Sequence, residues 1–220
     1  MRIGQRNPLN CFETIIVLTL LSVAGGPATA ADESQEPPLQ FEVIIGDKSF
    51  AVTEGESAQA IGEFNDPIIS VTPQPLRVFP YQGISFSYPR SFTFEADLKD
   101  PDNKSWTLSG NDFKIIYFVM NVRLSTGEFA NSMIDLMGHR QAKVTNPNAQ
   151  MTLGKHALSG KTLELTLASH KSTMDIYRLP SAKRVTRFLV FQDSLDAQGN
   201  RSREGTQALK ELASSFSVQE

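Results

Sequence analysis

From Gly83 onward, apolar and polar residues alternate one for one in run after run, and this period of two constrains the fold more than any other feature. Ile84, Phe86 and Tyr88 alternate with Ser85 and Ser87; Phe92, Phe94 and Ala96 with Thr93, Glu95 and Asp97. Trp106 and Leu108 alternate with Ser105, Thr107 and Ser109, and Leu163, Leu165 and Leu167 with Thr162, Glu164 and Thr166. Successive side chains of a strand point to opposite faces, so each run reads as a half-buried antiparallel strand with one polar side. Ile115–Met120 and Phe188–Phe191 are continuously apolar, which places those strands at the centre of the sheet. Asp102-Asn103, Ser109-Gly110-Asn111 and Ser159-Gly160 supply turn chemistry between runs.

Two segments change period. Ser125-Thr126-Gly127-Glu128 is a capping box, followed by an apolar stripe of Phe129, Met133, Leu136 and Met137 that ends near Gly138. A second helix is expected from about Ser202 to Ser215, with Leu209, Leu212, Ala213 and Phe216 on one face. Many antiparallel strands and two packed helices give an α+β fold, with a sheet of about six or more strands.

The N-terminal part reads differently. Arg2 and Arg6 precede an eleven-residue apolar run, Thr14–Ala24, then Gly25-Gly26-Pro27 and the small residues Ala28-Thr29-Ala30. That is the layout of a secretory signal peptide, and the run falls short of the ~20 apolar residues that span a bilayer. Cleavage after Ala30 is expected, leaving no transmembrane anchor and an exported protein, periplasmic or secreted. The remaining 190 residues carry 19 basic and 23 acidic residues, net -4, and no cysteine, since Cys11 is the only one. Disulfides, zinc clusters and thiol nucleophiles are thereby excluded, and the absence of cysteine fits a bacterial envelope. Residues 1–30 are assigned to the signal peptide and 31–40, acidic and proline-bearing, to an exposed linker. Residues 41–82 form a small N-terminal β-hairpin, turning at Gly46-Asp47, and an irregular proline-rich segment with one strand at Ile68–Thr72. Residues 83–220 form the α+β domain.

The strand Gly83-Ile84-Ser85-Phe86-Ser87-Tyr88-Pro89 and the helix from Leu209 through Leu212 to Ser215-Phe216 resemble the opening and closing segments of the PsbP-like and DcrB-like proteins. The resemblance covers residues 83–218. It implies an antiparallel sheet between helices and a non-enzymatic accessory or partner-binding role, and it carries over no active-site residue.

Catalytic patterns are scarce. Gly154–Thr162, GKHALSGKT, resembles a phosphate-binding loop, but five residues separate its glycines where that loop needs four, and a strand follows. His139, His156 and His170 are read as surface or turn residues with no i,i+4 or close carboxylate partner. Asp100-Pro-Asp102-Asn103 and Asp196-Ala-Gln198-Gly-Asn200 lack the glycine and terminal glutamate of a calcium loop. No G-x-S-x-G elbow occurs. No cofactor, metal or nucleic-acid partner is expected.

Charge is unevenly spread. Ala31–Asp112 carries 14 acidic and 5 basic residues, while Phe113–Glu220 carries 9 acidic and 14 basic. The densest basic stretch, Arg178, Lys183, Arg184 and Arg187, surrounds a proline-bearing turn and is the candidate anion- or partner-binding site. The expected function is an exported, non-enzymatic binding or accessory module for an unknown protein or envelope component. The alternative is an extracytoplasmic hydrolase whose site assembles only in three dimensions.

Overall fold

The computed structural model describes residues 32–167, 170–181 and 184–218. The expected signal peptide with Cys11, the cleavage site at Ala30, and Lys183 lie outside the described residues. The protein is mostly antiparallel β-structure with two helices.

The main sheet has seven strands: β6 (Thr93–Asp100), β7 (Asn103–Ser109), β8 (Phe113–Met120), β9 (Ala142–Leu153), β10 (His156–Leu167), β11 (His170–Leu179) and β12 (Thr186–Ser194). Their spatial order is β6-β7-β8-β12-β11-β10-β9, with every neighbouring pair antiparallel. The two strands with continuous apolar runs, β8 and β12, sit side by side inside it; β12 is buried on both faces from Phe188 to Phe191, and β8 is buried on one face and half-buried on the other from Ile116 on.

Each face has its own cover. On one side Trp106, Tyr117, Leu189 and Phe191 meet helix α2 (Arg203–Ser215) and the pair β4 (Leu76–Phe79) and β5 (Ile84–Pro89). Phe79 meets Trp106 and Tyr117 edge-on, at ring separations of 6.2 and 5.9 Å. On the other side α1 (Thr126–Met137) sets Phe129 flat on Phe188 at 4.2 Å and edge-on to Phe118 at 5.2 Å. Helix α1 packs toward β9–β11, and Glu95 and Asp97 of β6 remain exposed on the polar side of their strand.

The capping box closes as the spacing requires. Ser125 Oγ accepts the Glu128 amide at 3.1 Å, and Glu128 Oε2 accepts the Ser125 amide at 2.7 Å. The α1 stripe is rotated from expectation: Phe129, Ala130 and Ile134 are buried, whereas Leu136 is 77% exposed. At 100° per residue Phe129, Ala130 and Ile134 span an arc of about 140°, and Leu136 lies at its edge, about 90° from its middle. His139 is also a correction: its Nε2 lies 3.0 Å from Asp135 Oδ1, an exposed i,i+4 pair. His156 Nε2 is buried without a hydrogen-bond partner, and its ring stands edge-on to Phe216.

Two local expectations fail, one for steric reasons and one because of long-range bonds. Ser159-Gly160 is not a turn; the chain reverses at Gly154-Lys155, and Gly160 lies within β10. A Cβ at Gly160 would stand 2.2 Å from the Ile176 carbonyl oxygen, so glycine there serves close backbone approach and not chain reversal. The segment 32–40, expected to be an exposed linker, is fastened to the body. Trp106 Nε1 donates to the Glu33 carbonyl at 2.8 Å, Tyr81 Oη to the Gln35 carbonyl at 2.6 Å, and Arg77 pairs with Glu36 at 3.2 Å. The proline-rich stretch also contains β4, where Leu76–Phe79 pairs with β5.

Candidate functional site

Of the four basic residues at the β11–β12 end, Arg178 and Arg187 do not share a surface. Arg178 pairs with Phe188 and Arg187 with Leu179 across the β11–β12 ladder, so the two side chains emerge on opposite faces of the sheet. Arg178 and Arg184 are exposed, Lys183 lies outside the described residues, and Arg187 is half-buried. The Arg187 guanidinium lies against Gly83, where a Cβ would stand 3.3 Å from Nη1, and its Nε is buried with no hydrogen-bond partner among the described residues.

Carboxylates gather at the opposite end of the same strands, and structural bonds occupy them. Asp112, Asp196 and Glu204 line an open cleft of about 300 Å³ with Ser194, Ser202 and Arg203. Asp196 Oδ2 accepts Asn200 Nδ2 at 3.0 Å, and Oδ1 accepts the Gln198 and Asn200 amides at 2.9 and 2.8 Å. Those bonds, with Asn200 foremost, hold its carboxyl below the usual range, opposite to what a general acid needs. Glu204 Oε2 accepts the Asp112 and Phe113 amides at 2.6 and 3.0 Å, tying α2 to the start of β8. A second open cleft, of about 510 Å³, lies between the start of β11 (His170, Lys171) and the loop 195–199. Among the described residues, no three His, Cys, Asp or Glu residues converge as metal ligands.

Two further carboxylates are buried where no local pattern announces them. Asp175 and Asp193, 1% and 0% exposed, lie on neighbouring strands beneath the N-terminus of α2. Arg201 Nη2 donates to Asp175 Oδ2, its Nη1 lies 3.8 Å from Asp193 Oδ2, and Thr162 Oγ1 donates to Asp175 Oδ1 at 2.6 Å. Asp193 Oδ1 accepts the Ser202 amide at 3.2 Å, and Gly205 leaves room for the carboxylate, since a Cβ there would stand 2.6 Å from Oδ2. Among the described residues Asp193 Oδ2 has no hydrogen-bond partner, nor has Thr173 Oγ1 directly across the ladder. Burial pushes the Asp193 carboxyl above its ordinary value of 3.8, against the opposing bonds from Ser202. An acid with a raised folded-state pKa stabilises the fold below its unfolded value and loses that contribution as pH rises through the folded value. Asp193→Asn keeps the acceptor for Ser202 and removes the titration. Its unfolding free energy is therefore expected to fall less steeply than that of the wild type as pH rises from about 4. Urea melts at a series of pH values check this, and parallel curves would show that Asp193 does not titrate with folding.

The surface best suited to binding is a separate small sheet of β1 (Gln40–Ile45), β2 (Lys48–Thr53) and β3 (Ile69–Pro73), in the order β2-β1-β3. Gly46, at φ +61°, supplies the backbone conformation that its two-residue hairpin turn needs. Register gathers apolar residues on one side, with Lys48 at its corner: Phe41 lies between Val52 and Pro73, Val43 between Phe50 and Val71, and Ile45 between Lys48 and Ile69. The opposite face is mostly polar, apart from Ile44 and Ala51, and internally bonded, with Ser49 Oγ donating to Glu42 at 2.8 Å and Thr53 Oγ1 to Gln40 at 3.3 Å. On the apolar side Phe41, Val43, Ile45, Phe50 and Val52 are half-buried, and Ile69 and Val71 stand open at 61% and 58% exposed. Residues 32–73, which contain this sheet, carry nine acidic residues and Lys48 as the one basic residue. Exposed apolar residues on one strand within an acidic segment make this the candidate surface for binding. The predicted Gly46-Asp47 turn pointed to the hairpin; only the register reveals that the apolar residues of three strands share a side.

No family model matches the sequence, and no curated protein matches it. Among solved structures, a protein of Bacteroides thetaiotaomicron VPI-5482, determined at 1.50 Å, is similar at 10% identity and a TM-score of 0.39. The match covers 63% of this chain and 46% of that one, so this chain spans less than half of that protein's length. No described helix is long and apolar enough to cross a membrane.

Proposed function

We propose that this protein is an exported, non-enzymatic binding module that holds a partner protein on the apolar face of β1, β2 and β3. The observation that carries the reading is that face itself, with Ile69 and Val71 more than half exposed in a segment where nine of ten charges are negative. A hydrolase is the weaker reading, because Asp196 and Glu204 in the carboxylate-lined cleft already serve as acceptors for neighbouring groups. The accessory role implied by the resemblance over residues 83–218 points the same way.

Two experiments test it. Cross-linking in the native host compares the wild type with the double substitution Ile69→Ser and Val71→Ser. Both sites are exposed, so folding stability is expected to change by no more than about 0.5 kcal/mol per site. The cross-linked partner is expected to disappear; a partner retained at wild-type yield would reject this face as the binding surface. Export is checked by N-terminal sequencing of the protein recovered from the envelope or medium. The expected first residue is Ala31, and Met1 would reject processing there.

A further inference from the structure

We infer that the free edge of β3 takes up an extended segment of the partner in which apolar residues alternate with lysine or arginine, adding a fourth strand to the small sheet. The inference rests on the binding reading above and specifies how the partner is held. The ladder geometry identifies the available backbone groups. The Gly46 amide donates to the Ile68 carbonyl at 3.1 Å and the Gln74 amide to the Gln40 carbonyl at 2.7 Å. Bonded and non-bonded positions alternate along an antiparallel pair, so Ile68, Ser70, Thr72 and Gln74 bond toward β1, and Ile69 and Val71 present their N–H and C=O groups outward. No other described strand pairs with β3 on that side.

The two edges of this sheet differ in a way that selects β3. The β2 edge begins at Lys48, whose Nζ donates to the Ile61 carbonyl at 3.2 Å and lies 5.4 Å from the Phe64 ring. The β3 edge has no charged residue from Ile68 to Thr72, and Ile68 is 84% exposed. Free edges are usually guarded by charge, proline or a bulge, because an unguarded one is a template for strand addition. Here Pro67 precedes the edge and Pro73, its last residue, offers no outward N–H, which limits it to a short ladder.

Side-chain alternation then dictates what the added strand carries. Residues flanking Ile69 and Val71 on the apolar face must be apolar to extend it. Those on the other side join Ser70 and Thr72, with Glu42 paired to Thr72 in the next strand, and stand in the field of nine acidic residues against one lysine. That field favours lysine or arginine at alternate positions and opposes acidic ones.

The test uses synthetic peptides of about eight residues, near the usual length of a strand. One alternates valine with lysine, a second replaces lysine with glutamate, and a third keeps the lysine sequence but N-methylates alternate amides on the bonding edge. The first is expected to bind the purified protein, with affinity falling steeply between about 50 and about 500 mM salt. The second and third are expected to bind at least about tenfold more weakly. Hydrogen exchange is expected to slow at the Ile69 and Val71 amides when the first peptide is added. Val71→Pro removes one outward donor without touching a bond to β1, and it is expected to weaken binding more than Val71→Ala. No binding of the first peptide, equal binding of the glutamate peptide, or equal binding of the methylated peptide would each overturn the inference. So would protection of those amides in the protein alone at high concentration, which would identify the occupant as a second copy. If the Ile69→Ser, Val71→Ser protein loses its cross-linked partner while the methylated peptide binds undiminished, the face is right and the edge is wrong. If the partner is retained, the binding reading itself falls.

Discussion

Replacing Arg201 with Gln is expected to lower the unfolding free energy at neutral pH by about 3 kcal/mol, the lower end of the range for removing the partner of a buried charge. The lower end applies because the Arg201 side chain is 37% exposed and water screens part of its interaction. What it leaves behind is not screened: Asp175 and Asp193 are 1% and 0% exposed, and Arg201 is the one cation paired with either in the described structure. Thr162 and the Ser202 amide still satisfy one oxygen of each carboxylate, so the loss comes from an uncompensated pair of negative charges. The deficit carries a pH signature. Burial already raises the Asp193 carboxyl above its ordinary value, and taking away the neighbouring guanidinium raises it further. Destabilisation is therefore expected to shrink as pH falls toward the ordinary aspartate range and to be largest above it. Urea denaturation at about pH 4.5 and about pH 7 separates this from simple loss of packing, which would give the same deficit at both.

Truncating Leu212 to Ala is the second large effect, about 2–5 kcal/mol. Leu212 is 0% exposed and belongs with Ala208 and Phe216 to the cluster between α2 and the main sheet. Two neighbouring contacts limit how far the helix can settle into the space left behind. The Gly154 amide donates to the Ala213 carbonyl at 2.9 Å, and Ser215 Oγ accepts the Ser87 amide at 2.7 Å. With both ends of that turn fixed, the cavity persists and the cost falls in the upper part of the range. An unchanged denaturation midpoint would mean that α2 contributes nothing to the cooperative unit.

The sequence made some of this legible and hid the rest for physical reasons. Strand β5 announced itself because Ile84, Phe86 and Tyr88 are all buried and their neighbours are not, so burial and chemistry share one period. The N-terminus of α1 was legible because a capping box is a bonding pattern contained within four residues. Helix α2 was legible in its extent and in its stripe, since Leu209, Leu212, Ala213 and Phe216 all face the core. Asp175 and Asp193 left no trace, since each is an ordinary polar residue in a strand until register brings both under Arg201 and the first turn of α2. Gly160 read as a turn because glycine suits turns, and only β11 alongside supplies the second reason for it. Arg178 and Arg187 looked like one cluster because nearness in sequence says nothing about faces. The expected linker was misjudged because its acidic residues find partners at Arg77 and Lys104, far along the chain.

One long-range pairing sets a late step in folding. Strand β13 (Ser217–Val218) pairs with Ile84 and Ser85 of β5, and the Ser87 amide is bonded to Ser215, 128 positions away. During synthesis β5 emerges long before these partners. The cover over β7 and β8 therefore closes only once that distant stretch is available, as a step limited by long-range loop closure and not by local structure. In the interval the apolar side of β5 is open to whatever else is nearby, so early release, crowding or a missing C-terminal turn would act on yield before it acted on stability.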